Sequence, residues 1–443
     1  MVPSLGQWGR KSAEALFCAL NFIVFLFLDA VECVLCPVYR FLDSFFEGEA
    51  SPCYCATQGG ESSRGVNGEE GEEEGELSES LYRRENIFRE MWFLAFGRKR
   101  ASFGQEKRLV NGNGGSKGTP VRWSDCGCET CVSWMSNTEQ KLHVVVKEPS
   151  GAAVSGQGKA PENVIFLHGF LASSSLWTES VFPHLSESGA ASYRLFAVDL
   201  LGFGKSPKPR DCSYTLKDHL NMIEKSVICP FQLDSFHIVA HSMGCVVAVA
   251  LASKYETSVK SVTLTAPPYF PSSKRDSSLT VLRRLAEKRL WPPLLFGSSV
   301  MSWYEHLGRC ICFIVCRNHR TWERILKFIT RRSDVHFTVI DLTRHTHHSA
   351  WHTMHNVICG GTKLMDGYLE TLRRSGAKIS IIHGDRDQVV PLECSLSIKA
   401  RLPDAEINII RNANHNTVIF GRERDFTRFL GCTWESSSSV RTS

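Results

Sequence analysis

Residues 236–254 have the sequence FHIVAHSMGCVVAVALASK, and this stretch decides the fold class. Its start, Phe236–Ala240, is mostly apolar and predicts a buried strand, while the small apolar residues after Gly244 predict a buried helix. Ser242 stands on the turn between them, two positions from the small residues Ala240 and Gly244. Small neighbours let the strand and the helix approach closely, so the serine hydroxyl projects above the edge of a sheet. The stretch therefore predicts a serine nucleophile in an α/β fold.

Six further apolar stretches rich in β-branched residues predict the other strands. Helical stretches separate most of them, which predicts a mostly parallel sheet with helices on both faces. Functional residues are then expected in the loops at the carboxyl ends of the strands. The six stretches are Leu142–Val146, Val164–Leu167, Arg194–Asp199, Val259–Thr265, Ile379–His383 and Glu406–Ile410.

The loop after Val164–Leu167 contains a candidate donor for a developing negative charge. The turn at Gly169 would let the backbone amide of Phe170 point into the site, together with the amide of Met243 just after Ser242. Two such amides form an oxyanion hole, usually the largest single contribution to acyl transfer. The predicted supporting loop residues are His168, Gly169, His241 and Gly244.

A carboxylate and a histidine follow the last two predicted strands. The strand ending at His383 is followed by GDRDQVVP, in which we choose Asp387 because it lies three residues past Gly384; Asp385 remains the alternative. The last strand is followed by NANHN, which places His415 in a loop. The chain order serine, aspartate, histidine differs from the orders in chymotrypsin-like and subtilisin-like proteases. Four such elements, each at the end of a predicted strand, favour a catalytic site over a chance match.

Residues 161–269 and 374–430 resemble the α/β-hydrolase fold through the pattern HGF…DLLGFGKS…AHSMG…GDRDQVVP…NANH. With its apolar N-terminal segment, acidic spacer and basic insert, the chain resembles the plant BODYGUARD family. The resemblance implies Ser242 as the nucleophile, Asp387 as the acid and His415 as the base. It also implies a lysophospholipase-like hydrolase acting in cuticle formation at the epidermal cell wall.

The preferred hypothesis is a serine hydrolase that cleaves lipid-like carboxylic esters without a cofactor or a metal ion. Two alternatives stay open: an acyltransferase that builds a polyester with the same three side chains, and a non-enzymatic ligand receptor. Hydrolase and acyltransferase differ in the acyl acceptor, which depends on how completely the site excludes water. The expected partners are a lipid or acyl-ester substrate and a membrane or cell-wall surface. The net charge of +5 is too small to indicate a nucleic-acid partner.

The 443 residues are enough for one large core and a substantial extension. The predicted first part is a signal peptide or membrane anchor at 1–48, then an acidic, Gly-rich linker at 49–120 with a basic aromatic helix at 81–100. The core follows at 121–269 and 376–432, interrupted by a basic lid insert at 270–375. A disordered tail is expected at 433–443.

Near the N terminus, Arg10 and Lys11 precede the uncharged run Leu16–Leu28. Such a run is typical of a signal peptide or a membrane anchor, and it indicates the secretory pathway, with the cell wall, extracellular space or plasma membrane as the destination. A buried amphipathic helix is the alternative. Cysteines that follow the run, including Cys33 and Cys36, would permit S-acylation.

The insert 270–375 contains 17 Lys and Arg residues against 8 Asp and Glu residues, together with four tryptophans. Basic residues near an anionic surface attract it, and tryptophan suits the boundary between lipid and water. We therefore expect a lid that presents the site to an anionic or lipid surface through Arg331, Arg332, Arg373 and Arg374. A solvated cap that only shapes the acyl pocket is the alternative.

Three further patterns resemble functional motifs, but we expect structural roles for them. The run CGCETC at 126–131 supplies only three ligands, so disulfide-bonded or plain loop cysteines are favoured over a metal site. His336 and Asp341 match an acyltransferase-like H-x4-D spacing by chance. The histidines within 345–355 predict a polar helix face rather than a zinc site, because no cysteine or carboxylate lies at matching spacing.

Overall fold

A computed structural model describes residues 5–48, 53–54, 77–81, 121–135, 141–150, 161–270 and 302–440. The basic aromatic helix expected at 81–100 lies outside these residues apart from Leu81, and so does most of the predicted linker. The helices before the insert are α1 Leu5–Glu47, α2 Glu129–Met135, α3 Ser175–Ser180, α4 Glu187–Ser192, α5 Leu216–Ile223 and α6 Met243–Lys254. The later helices are α7 Glu305–Val315, α8 His319–Thr330, α9 Phe337–Asp341, α10 His347–Thr353, α11 Gly361–Ser375, α12 Leu392–Arg401 and α13 Glu423–Val440.

The mostly parallel sheet predicted from the sequence is confirmed. Its seven strands lie in the order β1-β3-β2-β4-β5-β6-β7, and only β1 is antiparallel to its neighbour. All seven predicted strands are present, with ends shifted by up to two residues. The strands are β1 Val144–Lys147, β2 Glu162–Leu167, β3 Tyr193–Val198, β4 Phe236–His241, β5 Val259–Thr265, β6 Lys378–Gly384 and β7 Glu406–Ile410.

Both faces of the sheet are covered, because side chains of one strand alternate between two apolar clusters. In β2, Ile165 and Leu167 belong to the cluster that includes α6, while Val164 and Phe166 belong to the cluster that includes α13. Every residue of β4 is buried, as expected for a central strand of a parallel sheet. The helices on both faces therefore follow from the two-sided burial of the strands.

The strand order places the predicted site residues at one edge of the sheet. The chain runs from β2 to β3 on one side and then returns to β4 on the other side. The crevice between β2 and β4 lies at this change of direction, outside the carboxyl ends of the strands, where α/β sheets bind ligands. Ser242 follows β4 directly, and His168 follows β2.

The insert is helical over the residues the structure describes, from 302 onwards. Its last helix, α11, differs from the expectation for a lid, because Met365, Leu369 and Leu372 are buried in the same cluster as α6. α11 ends three residues before β6 begins, so Arg373 and Arg374 lie at the amino edge of the sheet, opposite Ser242. These two arginines also pair with Glu370 on α11, at 2.8 and 3.4 Å.

The C-terminal tail was expected to be disordered, and for residues 433–440 this prediction is wrong. α13 continues to Val440, and the Trp434 side chain is fully buried. Its ring packs against Tyr193 at a centroid distance of 4.7 Å and against Phe166 at 6.3 Å. Burial of one large aromatic ring offsets the weak helix preference of the serines that follow it.

Candidate active site

Ser242 occupies the sharp turn between β4 and α6. Its backbone has φ 52° and ψ −122°, a conformation that L-residues rarely adopt. The turn is held on the strand side, because the Ser242 amide donates to the Thr265 carbonyl at 2.8 Å. A strained serine held by its neighbours at such a turn is typical of an exposed nucleophile.

The structure brings together the three residues predicted as nucleophile, base and acid. His415 Nε2 lies 3.0 Å from Ser242 Oγ, and His415 Nδ1 lies 2.7 Å from Asp387 Oδ2. Nδ1 must donate to the carboxylate, so the lone pair of Nε2 is free to accept the serine hydroxyl proton. The arrangement can therefore transfer a proton from Ser242 to His415 while the carboxylate holds the imidazole in the correct tautomer.

Asp387 is held as an ionised carboxylate. Its side chain is fully buried, and its Oδ1 accepts from the amides of Val389 and Val390 at 2.8 and 2.9 Å. Burial by itself would raise the pKa of Asp387, but the hydrogen bond and charge of His415 and the Val390 amide outweigh burial and hold this pKa below its ordinary value. Asp385, the alternative, is exposed and contacts Ile410 through its backbone amide.

His168 fixes the peptide group that carries the Phe170 amide. Its Nδ1–H donates to the Gly169 carbonyl at 2.7 Å, and its Nε2 accepts from the Leu200 amide at 2.9 Å. Burial lowers the pKa of His168, so the ring stays neutral and keeps this donor pattern. Because the C=O and N–H of a trans peptide point in opposite directions, holding the Gly169 oxygen also fixes the direction of the Phe170 N–H.

The loop after β2 lies against the nucleophile and the start of α6. A Cβ atom added to Gly169 would lie 3.1 Å from Ser242 Cβ, and one added to Gly244 would lie 2.6 Å from the His168 carbonyl oxygen. At Gly244 only glycine fits, because the atoms it approaches are backbone atoms. Met243 is the first residue of α6, so its N–H is among the amides that have no partner within the helix. The two amides predicted for the oxyanion hole thus belong to backbone segments that adjoin Ser242.

His241 helps to position His415, the predicted base. Its Nε2 donates to the backbone carbonyl of His415 at 3.1 Å, and the two rings lie 4.8 Å apart. Burial, followed by the charge of His415, lowers the pKa of His241 to about 3. A neutral His241 adds no positive charge next to His415, so it acts as a positioning residue.

The acyltransferase-like pair is not brought together. His336 is exposed and bonds to Thr338, whereas the buried Asp341 accepts from Ser173 Oγ at 2.8 Å. The spacing in the sequence therefore has separate structural causes, as expected.

The histidines of 345–355 differ from the predicted polar face, because several of them are buried. His352 and His355 are at most 2% exposed, and His355 Nδ1 bonds to Ser80 Oγ at 2.8 Å. His345 Nε2 lies 3.5 Å from Cys312 Sγ and 3.6 Å from Cys316 Sγ, so cysteines distant in sequence do approach this cluster. α7, which contains Cys312, and the segment that contains Ser80 cover the helix face that was predicted to be exposed to solvent.

The CGCETC run contains unbonded cysteines, which agrees with one of the two predicted alternatives and not with a disulfide. Its three cysteines are free thiols, and the fold brings a histidine from the insert to them. The expectation depended on the absence of a fourth candidate ligand nearby in the sequence, and His319 lies 188 residues from Cys131.

The Val389 and Val390 amides were not among the predicted site residues. Their contribution comes from the backbone and not from the side chains, because their N–H groups donate to Asp387 Oδ1. Pro391 follows these two residues and has an extended backbone conformation. This proline was the sequence signal for a turn in which the preceding amides face the carboxylate.

Sheet order, the turn at Ser242 and the three-residue chain of hydrogen bonds define an α/β-hydrolase, and the family model for the alpha/beta hydrolase fold matches residues 162–291. Three proteins of Arabidopsis thaliana are similar to this chain over nearly its whole length. Probable lysophospholipase BODYGUARD 4 is 52% identical over 96% of this chain and 98% of its own. BODYGUARD 5 is 47% identical over 97% and 98%, and BODYGUARD 1 is 40% identical over 94% and 96%. The chain belongs to the BODYGUARD family of α/β-hydrolases.

Proposed function

We propose that the protein is a serine hydrolase that cleaves carboxylic esters of lipids through an acyl-enzyme. The observation that supports this most directly is the continuous chain of hydrogen bonds from Asp387 through His415 to Ser242. The names of its relatives, probable lysophospholipases, support a single-chain lipid ester as the substrate class.

The proposed reaction begins when His415 Nε2 takes the proton from Ser242 Oγ, which attacks the ester carbonyl. The Phe170 and Met243 amides hold the resulting oxyanion, and one such donor contributes about 100- to 1,000-fold in rate. His415 then gives its proton to the departing alkoxide, which leaves an acyl group on Ser242. Water, deprotonated by His415, releases the acid and restores the serine.

The test is labelling with a fluorophosphonate and release of fatty acid from lysophosphatidylcholine. We expect Ser242→Ala to abolish both while the circular dichroism spectrum is unchanged, and Ser333→Ala, on an exposed serine, to retain both. Undiminished turnover in Ser242→Ala would contradict the mechanism. Product analysis with a hydroxy fatty acid present separates hydrolysis from acyl transfer, and ligand binding without turnover would favour a receptor.

We propose that α1 attaches the protein to a membrane surface, lying in its plane. Residues 22–47 are long enough to cross a bilayer, and their most apolar 18-residue window has a mean hydropathy of 2.1 and is 11% buried. This low burial argues against a helix inside the core. The exposed apolar side chains repeat at helical spacing on one face. Those between 61% and 72% exposed are Ile23, Phe27, Val34, Phe41 and Phe45.

The opposite face of α1 is acidic and bound to the protein. Asp29, Glu32, Asp43 and Glu47 fall roughly opposite the apolar stripe at about 100° per residue. A helix crossing the bilayer would have to break these contacts or take charges into lipid, whereas a helix in the membrane plane keeps both faces satisfied. The hydrogen-bonded pairs are Asp29 with Tyr304 at 3.0 Å, Glu32 with His306 at 2.9 Å, Asp43 with Arg309 at 2.6 Å and Glu47 with Arg210 at 2.7 Å.

Sedimentation with phospholipid vesicles tests this attachment. The double variant Phe41→Glu and Phe45→Glu should lose vesicle binding, because two charges enter the stripe, and should keep its activity on a short soluble ester. Leu396→Glu, on an exposed residue of α12, is the matched control and should bind as the wild type does. Unchanged vesicle binding by the double variant would contradict the proposal. Secretion, the cell-wall location and the role in cuticle formation stay predictions.

A further inference from the structure

Three cysteines and a histidine from distant parts of the chain meet outside the active site. Cys126, Cys128 and Cys131 come from the start of α2 and the loop before it, and His319 is the first residue of α8 in the insert. Their three Sγ atoms and one imidazole nitrogen all lie within 4.8 Å of one another. His319 Nε2 lies 3.4 Å from Cys131 Sγ and 3.6 Å from Cys128 Sγ.

These distances match those between the ligands of a tetrahedral zinc ion. With Zn–S near 2.3 Å and Zn–N near 2.0–2.1 Å, tetrahedral angles give about 3.6 Å between a sulfur and a nitrogen ligand. The two distances from His319 Nε2 to sulfur lie within about 0.2 Å of that value. Three cysteines and one histidine are also a ligand set found in structural zinc sites, which are closed to further ligands.

The orientation of His319 supports the same conclusion independently. Its Nδ1 lies 3.1 Å from Glu323 Oε1, one helical turn further along α8. Nδ1 therefore donates to the carboxylate, and the lone pair of Nε2 faces the sulfur atoms. A carboxylate that orients the far nitrogen of a histidine is the usual second layer around a protein-bound zinc ion.

α8 is held against the rest of the described protein by few other contacts. It has apolar and basic faces, and none of its residues is buried. Phe328 and Ile329, near its end, are 85% and 68% exposed. Its first turn is also joined to α2 by a hydrogen bond from Arg320 to Thr130 Oγ1 at 3.1 Å. A metal ion at His319 would fix this turn where packing does not.

We propose that Cys126, Cys128, Cys131 and His319 bind a structural zinc ion that fastens α8 of the insert to residues 126–131. On binding, Zn²⁺ displaces the thiol protons and forms three Zn–S bonds and one Zn–N bond, with no change in oxidation state. The ion joins segments almost 190 residues apart, so it restricts the movement of α8 relative to the core.

Two other groups must be separated from this site in any measurement. Cys36, Cys53 and His306 form one, and Cys312, Cys316 and His345 form the other, each with three candidate ligand atoms among the described residues. The number of zinc ions per chain is therefore compared between the wild type and variants, rather than read as an absolute value.

Zinc content of the full-length protein, purified without chelator, is the first measurement. Cys128→Ser and His319→Ala should each contain about one zinc ion fewer per chain than the wild type. His319→Cys should keep that ion, because four cysteines also form a tetrahedral site. Cys432→Ser, on an exposed cysteine outside all three groups, is the control and should match the wild type. Glu323→Gln should weaken zinc affinity roughly 10- to 100-fold.

Cobalt(II) substitution keeps the test valid if a variant folds poorly. The wild type reconstituted with Co²⁺ should show the absorption bands of tetrahedral thiolate-bound cobalt, and His319→Cys should shift these bands while remaining folded. Equal zinc content in the wild type, Cys128→Ser and His319→Ala would overturn the proposal. A disulfide joining two of the three cysteines, mapped by mass spectrometry of unreduced protein, would overturn it as well.

Discussion

Replacing Asp387 by Asn should lower kcat about 10,000-fold and leave the fold intact. In the native site Oδ1 accepts from the Val389 and Val390 amides, while Oδ2 accepts from His415 Nδ1 at 2.7 Å. The Asn side chain has one acceptor oxygen, and the two backbone amides require it, since an NH₂ group cannot accept from them. The NH₂ group must then face His415.

That orientation reverses the tautomer of His415. Nδ1 becomes the acceptor of the amide N–H, so the ring proton moves to Nε2, which then points at Ser242 Oγ as a donor. The serine loses its base, although its position is unchanged. A loss of about 10,000-fold corresponds to an increase of about 5 kcal/mol in activation free energy. Its cause is a single proton on the wrong nitrogen of His415.

The assay is steady-state hydrolysis of p-nitrophenyl butyrate, with the rate of fluorophosphonate labelling as a second readout. Asp385→Asn is the matched control, because Asp385 is exposed and bonds to Ile410 only through its backbone amide in the part of the chain described. We expect this control to stay within about threefold of the wild type, as surface changes of this kind usually do. A larger loss in Asp385→Asn than in Asp387→Asn would refute the choice of carboxylate.

Two further predictions concern the insert. Burial raises the pKa of Asp341 from 3.8 to about 6, so the folded state binds more protons than the unfolded state between these pH values and loses stability as the pH rises through them. Asp341→Asn should therefore gain up to about 3 kcal/mol over the wild type at pH 7.5 and little at pH 4, measured by urea unfolding; an equal difference at both pH values would contradict it. On anionic vesicles, Arg331→Glu with Arg332→Glu should reduce the activity of the protein. Arg373→Glu with Arg374→Glu should not, because this pair lies at the opposite edge of the sheet; equal effects of the two pairs would refute the expected orientation.

The core and the placement of the three candidate catalytic side chains could be predicted because each depends on a short stretch of sequence. Apolar runs fix the strands, and parallel strands bring their carboxyl ends to one edge. Ser242, Asp387 and His415 each lie within five residues of such an end, so finding the strands was enough to bring them together. The choice of Asp387 over Asp385 used its spacing from Gly384 and from Pro391, and Asp387 is the residue that bonds to His415.

The remaining features depend on contacts between distant segments, which composition does not reveal. Residues near the C terminus are rich in serine, but Trp434 anchors them against β2 and β3 through rings 241 and 268 residues earlier in the chain. His355 similarly has a polar partner, Ser80, at a separation of 275 residues. The composition of a serine-rich end or a histidine-rich helix does not show whether another segment covers it. The prediction that both are exposed to solvent was therefore wrong.

The first described helices of the insert, α7 and α8, contact residues near the N terminus and near the start of the predicted core. Arg309 of α7 forms a buried pair with Asp43 of α1, at 2.6 and 2.8 Å, and also bonds to Ser124. α8 meets residues 126–131 through His319. α1, residues 124–131 and the start of the insert are therefore joined by side-chain contacts between segments that are distant in the sequence. The N-terminal extension and the first two described helices of the insert thus form one assembled unit, held by contacts that no short stretch of the sequence reveals.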